Sequence, residues 1–65
     1  MHFRYTIDIH IPDDPEYAND YVLVQLGRDG HQVERATSAL VPALESAFDS
    51  LKLDVTNELD GGSAK

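Results

Sequence analysis

Cysteine is absent from this 65-residue chain, which excludes a disulfide framework and any thiolate metal site. No apolar run approaches the roughly 18 residues of a membrane span. The opening residues, Met1-His2-Phe3-Arg4-Tyr5, lack the charged-then-apolar layout of a signal peptide. A cytoplasmic protein is the expectation from these three absences. Positive charge is scarce as well. The five cations, Arg4, Arg28, Arg35, Lys52 and Lys65, are isolated from one another and face twelve Asp and Glu, for a net charge of −7. Binding phosphates takes clustered cations, so direct nucleic-acid binding is not expected, nor is an anionic membrane surface. A basic protein partner, reached by electrostatic steering, suits this charge. Simple solubility is an equally adequate account of it.

Apolar residues are sufficient for one thin core. Leu, Ile, Val and Phe make up 17 of the 65 residues, above the ~20 % level under which disorder becomes the better expectation. A chain of this length is one domain and buries only about 60 % of the surface its unfolded form exposes. Ordinary ligand pockets of roughly 300–1,000 Å³ would take a large share of so small a body, so no cofactor is expected. Self-association is one route by which a scaffold this small gains stability.

Residues 3–11 alternate strictly: Phe3, Tyr5, Ile7, Ile9 and Ile11 point one way, and Arg4, Thr6, Asp8 and His10 the other. That period of two predicts a half-buried strand, ended by Pro12. Residues 12–20 form a polar loop in which Asp14-Pro15 opens one helical turn over 14–19. Residues 21–26 read as a second strand antiparallel to the first, and Gly27-Arg28-Asp29-Gly30 as a turn whose two glycines can take positive φ. Residues 31–37 fit either a third, short edge strand or the opening of a helix. Pro42 favours the strand, because proline is costly inside a helix and cheap in its first turn. The helix is then expected from about 39 to 52 with Ser38 as its N-cap. Its apolar stripe is Leu40, Leu44, Ala47, Phe48 and Leu51, extended by Val55 and Leu59 if the helix runs on. The expected fold is α+β: an antiparallel sheet of two or three strands packed against one C-terminal amphipathic helix. Residues 1–59 form the domain and 60–65 a mobile tail. The sheet's inner face, with Ile7, Ile9 and Ile11, is expected to meet Leu44, Phe48 and Leu51.

Little here suits catalysis or a metal. No serine sits in a nucleophile elbow. His2 and His10 lie eight residues apart on one strand, about 26 Å, too far to share a ligand. Asp13, Asp14, Glu16 and Asp20 crowd one loop, but their spacing is not that of a calcium loop and no cleft serves a paired-carboxylate hydrolase. An enzyme and a metal site are therefore not expected. Partner binding fits better. Glu45 and Asp49 form a like-charge i,i+4 pair, mildly unfavourable on a marginal fold unless a basic surface is to be matched. Tyr17 and Tyr21, beside the loop acids, are candidate aromatic anchors or else core residues.

In whole-chain character, and in residues 1–20 (MHFRYTIDIHIPDDPEYAND), the chain resembles the phage-encoded anti-CRISPR proteins, in particular inhibitors of type I, Cascade-type systems. That family has no shared motif, so no residue role carries over. The resemblance implies a stoichiometric inhibitor, monomeric or dimeric, acting in the cytoplasm of a bacterial host. Some such inhibitors imitate the charge of DNA and others block by different contacts. On the mimic reading, Asp8, Asp13, Asp14, Glu16, Asp20, Glu45 and Asp49 stand in for phosphates against a basic nucleic-acid-binding groove. The alternative is a small antitoxin or dimeric scaffold module that engages a cognate protein through an edge strand or an apolar face.

Overall fold

The computed structural model describes residues 1–61; the expectation of a mobile tail falls, for residues 62–65, outside them. Strands β1 (Tyr5–His10), β2 (Val22–Arg28) and β3 (His31–Ser38) form one antiparallel sheet in the order β1-β2-β3, followed by helix α1 (Leu40–Leu59). This is the expected α+β layout, with 31–37 resolved as a strand. Between β1 and β2 a single 3-10 turn, Pro15–Tyr17, is capped by Asp14, whose side chain accepts from the Glu16 amide at 2.9 Å.

β2 is the central strand, and its alternation builds the core. Val22, Val24 and Leu26 are fully buried together with Ala43 and Ala47 of α1. Ile7 pairs with Leu26 and Ile9 with Val24, so the isoleucines share the face the helix covers. The turn to β3 is shorter than the sequence suggested. Gly27 and Arg28 belong to β2, and a two-residue hairpin of Asp29 (φ 49) and Gly30 (φ 89) makes the reversal. Gly27 instead lies beside Thr6, where an added Cβ would come within 3.1 Å of the threonine hydroxyl. Its pairing with Gln32, after Leu26 with Glu34, leaves Val33 as the extra residue of a bulge.

Three expectations about the helix are corrected. It runs to Leu59 rather than 52, ending where the Asp60 amide bonds the Thr56 carbonyl and Gly61 takes a φ of 74. Ser38 is not its cap, because Ser38 is still paired with Val22. The cap position is Ala39, which offers no side chain, and the Leu40 amide is satisfied by the Asn19 carbonyl at 2.9 Å. The third correction is rotational. Ala43 and Ala47 face the sheet, Leu44 and Leu51 are half-buried beside them, and Phe48 is exposed. Two alanines let the helix axis approach the sheet closely, so the longer side chains move to its flank. The helix packs on β2 and β3. Ile7, Ile9 and Ile11 consequently stay exposed instead of meeting the helix stripe.

Candidate functional site

The seven acidic residues expected to meet a partner fall into three groups. Asp8 pairs with Gln25, which pairs with Arg35, so it lies on the sheet face away from the helix. Asp13, Asp14, Glu16 and Asp20 are exposed in the loop between β1 and β2, with Asp14 holding the 3-10 turn and the Asp20 amide bonded to the Tyr17 carbonyl at 3.1 Å. Glu45 and Asp49 are exposed on the outer side of α1, opposite the Ala43 and Ala47 that face the sheet. The bond from Leu40 to Asn19 fastens the loop to the start of the helix. The loop acids therefore lie beside the start of α1, with Glu45 in its second turn and Asp49 at mid-helix, while the sheet and helix layers separate Asp8 from Glu45 and Asp49. Tyr17 and Tyr21 stand in that loop with ring centres 5.5 Å apart and planes inclined by 56°. Both are exposed, which removes them from the core and leaves them beside the acids.

A second polar cluster, at the far end, escaped the sequence. The guanidinium of Arg28 bonds Asp54 at 2.8 Å and Glu58 at 3.0 Å, the Tyr5 hydroxyl donates to the same Asp54 carboxylate, and the Phe3 ring lies 4.9 Å from the Arg28 guanidinium carbon. The hydrogen bond to Asp54 raises the Tyr5 phenol above its ordinary 10.0, with burial adding to the effect. Arg28 is likewise raised, first by its bond to Glu58. Asp54 and Glu58 stand one helical turn apart on the side facing the sheet, and that i,i+4 spacing in phase with Leu51 was the available signal. The cluster joins β1, β2 and the end of α1. It also pairs one of the five cations with two of the twelve acids.

A third feature is apolar. Ile7 and Ile9 of β1, and Ile11 just past its end, lie in the open alongside β2's buried row, and among the described residues no strand pairs with the outer side of β1. The open sheet face carries a shallow depression of about 210 Å³ around Gly27, lined by Thr6, Asp8, Gln25, His31 and Gln32 among others. That is smaller than ordinary ligand pockets of ~300 Å³ and upward. Among the described residues, no group of three or more His, Cys, Asp or Glu is placed to hold a metal ion, and no helix is long and apolar enough to cross a membrane. No family model, curated protein or solved structure matches the chain.

Proposed function

We propose that the protein works by stoichiometric binding, presenting the acidic loop and the outer face of α1 to a basic, nucleic-acid-binding protein or complex and blocking its access to nucleic acid. The observation that carries this reading is the joining of the Asp13–Asp20 loop to the helix start through Asn19 and Leu40. It sets the loop acids Asp13, Asp14, Glu16 and Asp20 beside the start of the helix whose outer face carries Glu45 and Asp49, with Tyr17 and Tyr21 in the loop as apolar anchors, and this supports a shared acidic surface. Arg28 is tied to Asp54 and Glu58, so neither that cation nor those two acids belongs to this surface. The resemblance to anti-CRISPR proteins names a type I CRISPR effector complex as the target to try. Asp8 stands apart and is the least suited of the seven to this surface. The test is binding to a purified type I effector at low and high salt. Charge matching predicts an affinity that falls steeply as salt rises. Binding that is absent, or indifferent to salt, overturns this reading.

The bare edge of β1 favours a second reading, the small antitoxin or dimeric scaffold module that engages through strand and apolar face. Such an interface tolerates salt, which separates it from the first.

A further inference from the structure

β1 is open both at its outer rim and on its helix-side face. The Asp29 amide donates to the Arg4 carbonyl at 2.9 Å, and this sets the alternation of the ladder. Thr6, Asp8 and His10 turn their amides and carbonyls toward β2, while Tyr5, Ile7 and Ile9 turn theirs to the empty rim. The same alternate residues bear the apolar side chains. Exposure climbs along them, from 37 % at Ile7 to 44 % at Ile9 and 57 % at Ile11. The helix crosses diagonally, starting beside the end of β3 and reaching Tyr5 only at Asp54, so the uncovered wedge widens toward Ile11. Ser46 meets Glu34 of β3 at 3.0 Å. Phe48 therefore projects from the opposite flank, toward β1, and is 52 % exposed.

We infer that a second copy of this chain covers the wedge, its β1 paired antiparallel with β1 about a two-fold axis through Ile9, to give one six-stranded sheet with both helices on the same face. The inference takes its surface from the edge-strand reading and is independent of the acidic one. The occupant must supply a strand edge and apolar side chains at alternate positions, and β1 has both.

Charge selects the register. An axis at Asp8 sets that carboxylate against its own copy, which is repulsive, and an axis at Ile7 sets Arg4 against His10. With the axis at Ile9, Ile7 meets Ile11 of the second copy, and Asp8 meets His10 of the second copy, an acceptor facing a donor, twice over. Pro12 continues the set whose amides would point toward β2, so its missing N–H leaves the new ladder intact. The area is that of a small interface. Ile7, Ile9, Ile11 and Phe48 leave roughly 400 Å² in the open, within the range of the largest patches on monomers and about half of the ~800 Å² per partner of a standard interface.

The experiment is sedimentation equilibrium of the full chain from about 10 µM to about 1 mM. The expected mass is twice 7.2 kDa, persisting at high salt. Ile9→Lys, at a side chain already in the open, is expected to give a monomer with an unchanged circular dichroism spectrum. The register has its own test at exposed polar positions that leave the core alone. His10→Glu weakens the dimer on the order of tenfold by opposing Asp8, and Asp8→Lys added to it restores the affinity. A parent chain that stays monomeric throughout overturns the inference, as does a dimer indifferent to both Ile9→Lys and His10→Glu. The edge-strand reading itself falls separately, if Ile9→Lys binds a cognate protein as well as the parent does.

Discussion

The hydroxyl of Tyr5, near the start of the chain, donates to the carboxylate of Asp54, near the end of the helix. Arg28 grips the same carboxylate from the central strand. One side chain thereby ties β1, β2 and the C-terminal part of α1 together. The bond sets a pH dependence. Tyr5 is raised above 10.0 by the bond to Asp54 and by burial, so the folded chain holds this proton more tightly than the unfolded one. The stabilisation is complete below the ordinary phenol range and is lost as pH rises through the folded value. Urea midpoints are therefore expected to fall above about pH 10. Tyr5→Phe lowers the midpoint at neutral pH and removes its share of the alkaline decline. An unchanged alkaline slope in Tyr5→Phe would assign the decline to other groups.

The Asp29-Gly30 hairpin offers a purely local test. Gly30 sits at φ 89 with nothing near its would-be Cβ, so Gly30→Ala meets backbone strain and no clash. The expected loss is about 1–2 kcal/mol, read as a lower urea midpoint with the m-value unchanged. Gly27→Ala is the contrasting case, because its Cβ would press on the Thr6 hydroxyl at 3.1 Å. A Gly30→Ala variant as stable as the parent would mean that the hairpin relaxes to another turn.

Strict alternation made β1 readable, and Pro42 placed the helix start correctly after β3. What the sequence concealed was lateral position. Leu44, Phe48 and Leu51 form the most apolar stripe, so they were the natural choice for the contact. Ala43 and Ala47 won because short side chains allow a closer approach to Val22, Val24 and Leu26. Nothing in a one-dimensional pattern says how many strands a single helix covers, and the exposed state of Ile9 follows from that number. The acidic residues were legible one at a time as exposed loop and helix positions. Their grouping was not, because only the three-dimensional bond between Asn19 and Leu40 brings loop and helix together, and only the sheet separates Asp8 from them.

The rotation of the helix predicts an inverted ranking of two large-to-small changes. Leu26 is fully buried, and Leu26→Ala is expected to cost about 2–5 kcal/mol. That is about half of the ~3–10 kcal/mol available to a chain of this size, so the variant should unfold at a much lower temperature than the parent. A buried phenylalanine would cost about 3–5 kcal/mol, yet Phe48→Ala in dilute solution should cost under about 1 kcal/mol because half the ring already meets water. Thermal unfolding at low protein concentration checks the pair. Equal losses at the two positions would place Phe48 in the core and the helix in a different rotation.

Charge removal in the loop must be separated from loss of its shape, because Asp14 is both an acid and the cap of the 3-10 turn. Asp13→Asn/Asp14→Asn/Glu16→Gln removes three charges and keeps a side-chain oxygen able to accept from the Glu16 backbone amide. This triple variant should fold as the parent does, with its urea midpoint preserved. Against a basic partner its affinity should drop, by about tenfold for each ~1.4 kcal/mol of lost attraction, and the salt dependence should become shallower. A companion with Asp14→Ala alone should lower stability through the lost cap and affect binding less than the triple variant. Asp8→Asn, on the far face of the sheet, should leave binding to such a partner unchanged. If the triple variant binds as tightly as the parent while Asp8→Asn does not, the contact lies on the open sheet face and the loop is only a connector.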